Sequence, residues 1–178
     1  MDPGAVFVPT GYGELLFGIW KGFTELHRLG LVSRAPRLFS CEPAAGGPLA
    51  SALRQGLPAT EVEVGDTEAY GIACSVNSYR GVRAITGSEG RALTVDDAAM
   101  HRAQAELAGQ GLWVELSSAA GLAGLRTLPD GETIEGPVVC VTTSSGFKDA
   151  RVGDRHLAPV DPSWENVRAW LRAEGIRS

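Results

Sequence analysis

The sequence has few cysteines and no arrangement of them that would hold a disulfide framework or a metal. Its 178 residues include three cysteines, Cys41, Cys74 and Cys140, at wide spacing and with no CxxC motif or His/Cys cluster. An odd number of scattered cysteines is typical of reduced thiols in the cytosol. We therefore expect a cytoplasmic protein without a metal site.

Long apolar runs and an excess of basic residues are also missing. No run approaches the roughly 20 apolar residues that a membrane span needs, and we expect no secretory leader. Lysine and arginine total 16 against 21 acidic residues, which gives a formal net charge of −5. This balance argues against nucleic acid and against a membrane as partners.

Short apolar runs alternate with amphipathic segments along the chain, which can bury one sizeable core. Strands are predicted at residues 5–8, 37–41, 112–115 and 138–142. Helices are predicted at 15–30, 48–55, from a Thr94 cap to about 108, at 117–128, and from a Ser163 cap to 173. Residues 56–90 read as loop with one helix near 70–79. Strands separated by helices predict an α/β fold, a three-layer sandwich with a mainly parallel sheet.

Small polar residues follow three of the predicted strands, at residues 10–13, 115–118 and 142–146. In a parallel sheet, ligands bind beyond the carboxyl ends of the strands. We therefore expect these three segments to converge on one site at that edge of the sheet.

The turn Gly11-Tyr12-Gly13 joins a buried strand to an amphipathic helix. It presents backbone N–H groups at the positive end of a helix dipole, which favours an anion and most often a phosphate. A plain strand-to-helix connection is one alternative. A dinucleotide site is another, because Glu42 ends the second strand where a ribose-binding acid would sit. However, Leu16 replaces the third glycine of GxGxxG, so the close helix–strand packing of that motif is not encoded.

The other two strand ends are less specific. Residues 142–146 carry hydroxyls that can donate or accept without charge, or that can simply satisfy their own turn. Ser117 lies at a strand-to-helix junction and is most simply an N-cap. No Ser-His-Asp or paired-carboxylate signature is present, and no catalytic residue is predicted.

Three segments together resemble the fold-type II pyridoxal-phosphate enzymes of the threonine synthase and tryptophan synthase β group. VPTGYGELLFGIWKGF is similar to the phosphate-binding loop and following helix of that family. LWVELSSAAGLAGL resembles its Val-Glu-Pro-x-Ser-Ala-Ala helix start, and VVCVTTSSGFKD resembles its Val-Leu-Thr-Gly-His-Gly-Leu-Lys-Asp strand end. The resemblance covers roughly residues 5–149 and implies the large-domain half of the tryptophan synthase β-like fold.

The resemblance implies pyridoxal 5'-phosphate as the cofactor and an amino acid as the substrate. Thr143 would face the pyridine nitrogen, where a neutral hydroxyl leaves the cofactor a milder electron sink, which suits β-elimination and β-replacement. The backbone of the glycine loop would hold the phosphate, and two further residues would line the other edge of the cofactor. The implied cofactor-binding residues are Gly11, Tyr12, Gly13, Glu14, Glu115, Ser117 and Thr143.

The sequence departs from the family pattern at several of these positions. Glu14 stands where the loop usually has glycine or a small polar residue. Its side chain must turn away from a phosphate dianion, or it stabilises the helix N-terminus. Leu116 replaces the usual proline, and Ser144-Ser145 replaces Gly-His. These differences bear on the substrate more than on the fold.

Lysine is nearly absent, since the chain contains only Lys21 and Lys148. The Schiff-base lysine of the family lies in the N-terminal half, as does the asparagine that contacts the cofactor hydroxyl. Lys21 reads as a solvated helix residue, and Lys148 matches the C-terminal lysine of the family. The resemblance thus implies that residues 1–150 are the C-terminal part of a catalytic domain and that residues 151–178 are a tail with one helix.

The expected function is therefore partial. The chain would provide the phosphate cradle and pyridine contact of a lyase or β-replacement enzyme and be inactive alone. Exposed apolar surface would favour association with an N-terminal-half partner chain or a homo-oligomer. A truncated product without catalysis and a regulatory module that binds phosphate or cofactor are the alternatives.

Overall fold

One parallel sheet organises the computed structural model, which describes residues 2–149 and 160–176. The strand order is β3-β2-β1-β4, and each neighbouring pair is parallel. The predicted parallel sheet is confirmed. The strands are β1 (Ala5–Pro9), β2 (Arg37–Pro43), β3 (Arg91–Val95) and β4 (Val138–Cys140).

Helices cover both faces of the sheet and give the predicted three layers. The first three helices pack on one face, and the fourth and fifth pack on the other. The helices are α1 (Glu14–Arg28), α2 (Pro48–Gln55), α3 (Tyr79–Gly87), α4 (Asp97–Gly109), α5 (Leu116–Arg126) and α6 (Trp164–Ala173), with 3₁₀ turns at Tyr70–Ile72 and Gly146–Lys148.

The two central strands build the core through alternating side chains. Phe7 of β1 and Phe39 of β2 lie opposite each other in register, and their rings stack with centroids 4.4 Å apart. Both are fully buried on the α5 side, and burial of each is worth roughly 1.5–3 kcal/mol. Val6 and Val8 point to the opposite face. Both faces of β1 are therefore buried, as expected of an inner strand. Its carboxyl end lies between those of its neighbours β2 and β4.

The helix predicted near residues 70–79 is wrong in its position. Only a 3₁₀ turn forms at Tyr70–Ile72, and α3 begins at Tyr79. The reason is the cap, because the Ser78 hydroxyl accepts a hydrogen bond from the Gly81 N–H at 3.2 Å. A serine cap satisfies an N–H group that the helix itself leaves unpaired.

The Thr94 cap is also wrong, because Thr94 belongs to β3 and pairs in register with Glu42 of β2. The Asp96 side chain caps α4 instead, accepting from the Ala99 N–H at 2.6 Å. The predicted end of this helix is confirmed at Gly109. Strand β3 went unpredicted because it is a half-buried edge strand that lacks a strong apolar signal.

The strand predicted at residues 112–115 does not join the sheet. Val114 forms only an isolated antiparallel bridge with Ser145. The flanking bonds run from the Glu115 N–H to the Ser144 carbonyl and from the Gly146 N–H to the Trp113 carbonyl. This segment therefore pairs with the loop after β4.

The last helix agrees with its prediction, since the Ser163 hydroxyl caps α6 and Gly175 follows it with φ 78°. The predicted boundary between residues 150 and 151 lies outside the described residues. Among the helices in the described ranges, none is long and apolar enough to cross a membrane.

A buried carboxyl group anchors α2 to the sheet. Both oxygens of Glu42 accept hydrogen bonds from the start of α2, from the Leu49 N–H at 2.9 Å and the Ala50 N–H at 2.8 Å. The Glu42 carboxyl group is thus occupied by the N–H groups of α2, which argues against the dinucleotide alternative. Burial raises the pKa of Glu42 to about 7 and outweighs the two hydrogen bonds that lower it.

This raised pKa predicts a pH-dependent stability that Glu42→Gln should abolish. Relative to the unfolded chain, with its ordinary pKa of 4.5, the contribution of Glu42 is fully present below that value. It is lost as pH rises through about 7. Urea unfolding should show the wild type losing about 3 kcal/mol relative to Glu42→Gln across this range. Parallel pH profiles of the two proteins would contradict the assignment.

Candidate functional site

The glycine loop leaves the sheet at the carboxyl end of β1, as predicted. Thr10 ends the ladder, donating its N–H to the Cys41 carbonyl at 2.9 Å and its hydroxyl to the Val8 carbonyl at 2.7 Å. The chain then turns through Gly11, Tyr12 and Gly13 into α1. The rigid central strand therefore fixes where the loop begins.

Two glycines are required by the geometry of this turn. Gly13 has φ 105°, and a Cβ there would lie 3.2 Å from the Gly81 Cα of α3. A Cβ on Gly11 would lie 2.8 Å from the Cys74 Sγ. A left-handed backbone and close approaches of this kind favour glycine. The loop is thus held between α3 and the segment around Cys74.

The N-terminus of α1 differs from those of the other described helices because no side chain in the described part of the chain accepts its N–H groups. Within the described ranges, no acceptor faces the N–H groups of Gly11, Tyr12 or Gly13, and the first helical bond runs from the Phe17 N–H to the Gly13 carbonyl. Unpaired donors at the positive end of a helix make an anion site.

A pocket of about 380 Å³ opens beside these N–H groups. Five of the seven predicted cofactor-binding residues line it, and Glu115 and Ser117 are not among its lining residues. Its lining residues in the described part of the chain are Pro9, Thr10, Gly11, Tyr12, Gly13, Glu14, Leu15, Leu16, Gly71, Ile72, Cys74 and Thr143.

Glu14 introduces a negative charge into the first turn of α1, and an arginine balances it. The Arg80 Nη1 donates to the Glu14 Oε2 at 2.9 Å, and this hydrogen bond holds the pKa of Glu14 below its ordinary value. Arg80 also lies 5.6 Å over the ring of Phe17. The Glu14 side chain therefore has a partner of its own.

Thr143 reaches the pocket from the loop after β4, and a buried serine of α5 fixes it there. The Ser118 Oγ accepts from the Thr143 N–H at 3.1 Å and from the Ser144 N–H at 2.8 Å, and it lies 2.7 Å from the Thr143 Oγ1. Ser118 was not predicted from the sequence as a residue of this site. The available signal was the adjacent pair Ser117-Ser118. Only Ser117 was interpreted, as an N-cap, and Ser118 was given no role.

The N-cap prediction for Ser117 is wrong. The N-cap of α5 is Glu115, and the Asp149 carboxylate accepts from the Leu116 N–H at 3.1 Å. Since Asp149 serves this N-terminus, the buried Ser117 hydroxyl is free for another contact. It accepts from the Gly71 N–H at 3.0 Å.

Glu115 lies beside the same glycine. A Cβ on Gly71 would lie 3.1 Å from the Ser117 Oγ and 3.6 Å from the Glu115 Oε1. The other oxygen, Oε2, pairs with the Lys148 Nζ at 3.2 Å. Ser117 therefore holds the backbone of Gly71, which is itself part of the pocket wall, and the Glu115 carboxylate lies near it.

Asp149 also ties α5 to α4, a contact that the sequence did not reveal. The Gln104 Nε2 donates to the Asp149 Oδ2 at 2.6 Å and to the Val114 carbonyl at 2.8 Å. Lys148 and Asp149 thus both hold the start of α5, Lys148 through its ion pair with Glu115 and Asp149 through the Leu116 N–H.

Both lysines of the chain have carboxylate partners. Lys21 pairs with Glu25 one turn along the exposed face of α1, as a solvated helix lysine would. Lys148 pairs with Glu115. In the parts of the chain that the structure describes, no group of three or more His, Cys, Asp and Glu side chains could hold a metal.

Solved structures share this fold at low sequence identity. A threonine deaminase from the organism abbreviated T.th. superposes with a TM-score of 0.65 at 24% identity, covering 89% of this chain and 51% of that one. A fungal L-serine ammonia-lyase from Rhizomucor miehei has a TM-score of 0.69 at 20% identity, covering 82% and 46%. Identities this low bear on the fold alone, and they confirm the predicted architecture.

Curated relatives are more similar in sequence. Threonine synthase from Methanosarcina acetivorans is 35% identical over an alignment of 153 residues, which covers 83% of this chain and 38% of the relative. Threonine synthase from Synechocystis is 32% identical over 173 residues, 97% of this chain and 42% of the relative. The chain thus spans about two fifths of the length of these relatives.

A family model described as "Pyridoxal-phosphate dependent enzyme" matches residues 1–145. The match includes the glycine loop, the start of α5 and Thr143. It confirms the predicted family and the predicted cofactor, pyridoxal phosphate. The chain belongs to the family of pyridoxal-phosphate dependent enzymes.

Proposed function

We propose that this chain supplies the phosphate cradle and the pyridine contact of a threonine synthase-like enzyme. The observation that carries the proposal is the N-terminus of α1, whose N–H groups lack protein acceptors in the described residues and border a pocket that Thr143 also lines. Bound pyridoxal phosphate would supply an electron sink for β-elimination or β-replacement on an amino acid. The substrate class includes O-phosphohomoserine, serine and threonine.

The backbone of Gly11, Tyr12, Gly13 and Glu14 would donate to the phosphate oxygens. This fit is supported by the left-handed Gly13, since a Cβ there would meet the α3 backbone and disturb the loop. The dipole of α1 adds a partial positive charge at the same place.

The remaining predicted residues would act on the ring of the cofactor. Thr143 would face the pyridine nitrogen with a neutral hydroxyl. Glu115 and Ser117, in our proposal, hold Gly71 at the wall of the pocket, a role supported by the hydrogen bond from the Gly71 N–H to Ser117. They would shape the edge of the cofactor site through that backbone.

The Schiff-base lysine would come from protein outside these 178 residues. This part of the proposal is supported by the ion pairs that Lys21 and Lys148 make with carboxylates. Residues 1–150 would be the C-terminal part of a catalytic domain, and 151–178 a tail. A cytoplasmic chain carrying the N-terminal half, or a second copy, would be the partner.

A second candidate is a module that binds pyridoxal phosphate or inorganic phosphate without catalysis. The same two ion pairs favour it, because the α1 N-terminus can hold a phosphate whether or not a lysine is present. Cofactor binding by the chain without any partner distinguishes this candidate from an inert truncated product.

We predict that Gly13→Ala weakens binding of pyridoxal phosphate to the purified chain. Strain at a positive φ costs about 1–3 kcal/mol, so the dissociation constant should rise by a factor of roughly 5 to 150. Titration followed by cofactor absorbance measures it. Gly18→Ala is the matched control, because Gly18 is exposed on α1 and a Cβ there meets nothing within 4 Å. Equal affinities of both variants would contradict the cradle.

We also predict that borohydride traps no stoichiometric lysine adduct when the chain alone is mixed with pyridoxal phosphate. Both lysines are held by carboxylates, and neither lines the pocket in the described residues. Peptide mass spectrometry after reduction gives the result, with Lys21→Arg and Lys148→Arg as controls. A reduced adduct at either lysine, lost in the matching variant, would overturn the missing-lysine proposal.

A further inference from the structure

Glu14 places a carboxylate at the helix N-terminus whose N–H groups have no side-chain acceptor in the described residues. It is the first residue of α1, and it lines the pocket. Helix side chains tilt toward the N-terminus of their helix, so the Glu14 side chain can reach back over the loop. The dipole of α1 favours a carboxylate there, and a carboxylate repels an incoming anion. The chain thus carries its own competitor for the anion site.

The structure holds this carboxylate in a different contact. The Arg80 Nη1 donates to the Glu14 Oε2 at 2.9 Å. This hydrogen bond is the largest cause of the lowered pKa of Glu14, and a hydrogen bond from the Ser78 hydroxyl is a smaller one. In the described ranges, no side-chain acceptor caps the N–H groups of α1. Glu14 is therefore ionised and turned away from them.

Contacts between α3 and the glycine loop hold Arg80 beside Glu14. The Ser78 N–H donates to the Tyr12 carbonyl at 2.9 Å, which fixes the start of α3 next to the loop. Arg80 lies in the first turn of α3, with its guanidinium 5.6 Å from the centroid of the Phe17 ring. Glu14 and Phe17 are three residues apart and therefore lie on the same side of α1. Arg80 packs against that side, and it is not among the described residues that line the pocket.

The ion pair is too exposed to matter much for folding. The side chains of Arg80 and Glu14 are 63% and 46% exposed, and ion pairs of this kind contribute little to stability. We propose that Arg80 is a positioning residue that keeps the Glu14 carboxylate off the N-terminus of α1, so that the N–H groups there stay open to an anionic ligand. In the proposed function, on which this inference rests, that ligand group is the phosphate of pyridoxal phosphate.

Two other roles for Arg80 predict different results. An arginine that attracted the phosphate directly would lower affinity on removal whether or not Glu14 carried a charge. An arginine that only supported the fold would lower stability and affinity together, again independently of Glu14. In the proposed role, the loss of affinity requires the Glu14 carboxylate and disappears in a Glu14→Gln background.

The test is a double-mutant cycle on the affinity of the purified chain for pyridoxal phosphate, measured by absorbance titration. About 0.5 M salt largely screens attraction between charges that are not in contact. We expect Arg80→Met, which keeps an unbranched side chain over Phe17, to raise the dissociation constant about threefold to fivefold. In Glu14→Gln the same change should alter it by less than about 1.5-fold. Arg80→Lys should restore binding. A loss of equal size in both backgrounds overturns the inference.

Lys21→Met is the matched control. Lys21 pairs with Glu25 on the same helix, their side chains are 57% and 48% exposed, and neither is among the described pocket residues. The variant removes one positive charge from an equally exposed pair, so it should leave the dissociation constant unchanged. A rise as large as that of Arg80→Met would assign the effect to net charge and contradict a positioning role.

A measurement without ligand tests the same inference. In nitrogen–proton NMR spectra of the free chain, we expect the amide resonances of Tyr12, Gly13 and Leu15 to shift in Arg80→Met, because the freed carboxylate moves onto these N–H groups. The shifts should be absent when Glu14→Gln is added. Unshifted resonances in Arg80→Met overturn the inference. Failure of the wild type to bind pyridoxal phosphate would instead overturn the proposed function, so the two failures are distinguishable.

Discussion

The need of every helix to satisfy its first N–H groups governs this structure. Five described helices meet it with a side chain, and three of those side chains are carboxylates. α1 alone among the described helices begins at a glycine with no side-chain acceptor, at the central strand of the sheet. Unpaired N–H groups at such an N-terminus favour the binding of an anion. The five acceptors are Glu42 for α2, Ser78 for α3, Asp96 for α4, Asp149 for α5 and Ser163 for α6.

The sheet order explains why the residues around that N-terminus come from distant parts of the chain. β4 pairs with β1, so the loop that carries Thr143 leaves the sheet next to the glycine loop. α5 packs across the same strands, and its first turn brings Ser118 against Thr143. Gly71 is then held by Ser117 of the same turn. One helix start thus positions two walls of the pocket.

The sequence predicted the parts of this arrangement that rest on local signals. The apolar run, glycine turn and amphipathic helix at residues 5–28 follow one another in the chain, so both the strand and the loop could be predicted. The partners of Ser118 and Asp149 lie 25 to 45 residues away in sequence, and no periodicity reveals them. The choice of Ser117 over Ser118 failed for this reason. Strand β3 was not predicted because it forms by pairing with β2, while its own side chains carry only a weak apolar pattern.

The charged side chains at the site are paired with one another. Arg80 balances the carboxylate of Glu14, Lys148 balances that of Glu115, and Thr143 is neutral. An anion at the start of α1 would therefore be held chiefly by oriented N–H dipoles. Dipoles act over a short range, while unpaired ionic groups attract ligands from farther away and are screened by salt. Such a cradle discriminates by the placement of its donors. This dependence on placement explains why such a cradle needs a left-handed Gly13 and a rigid β1.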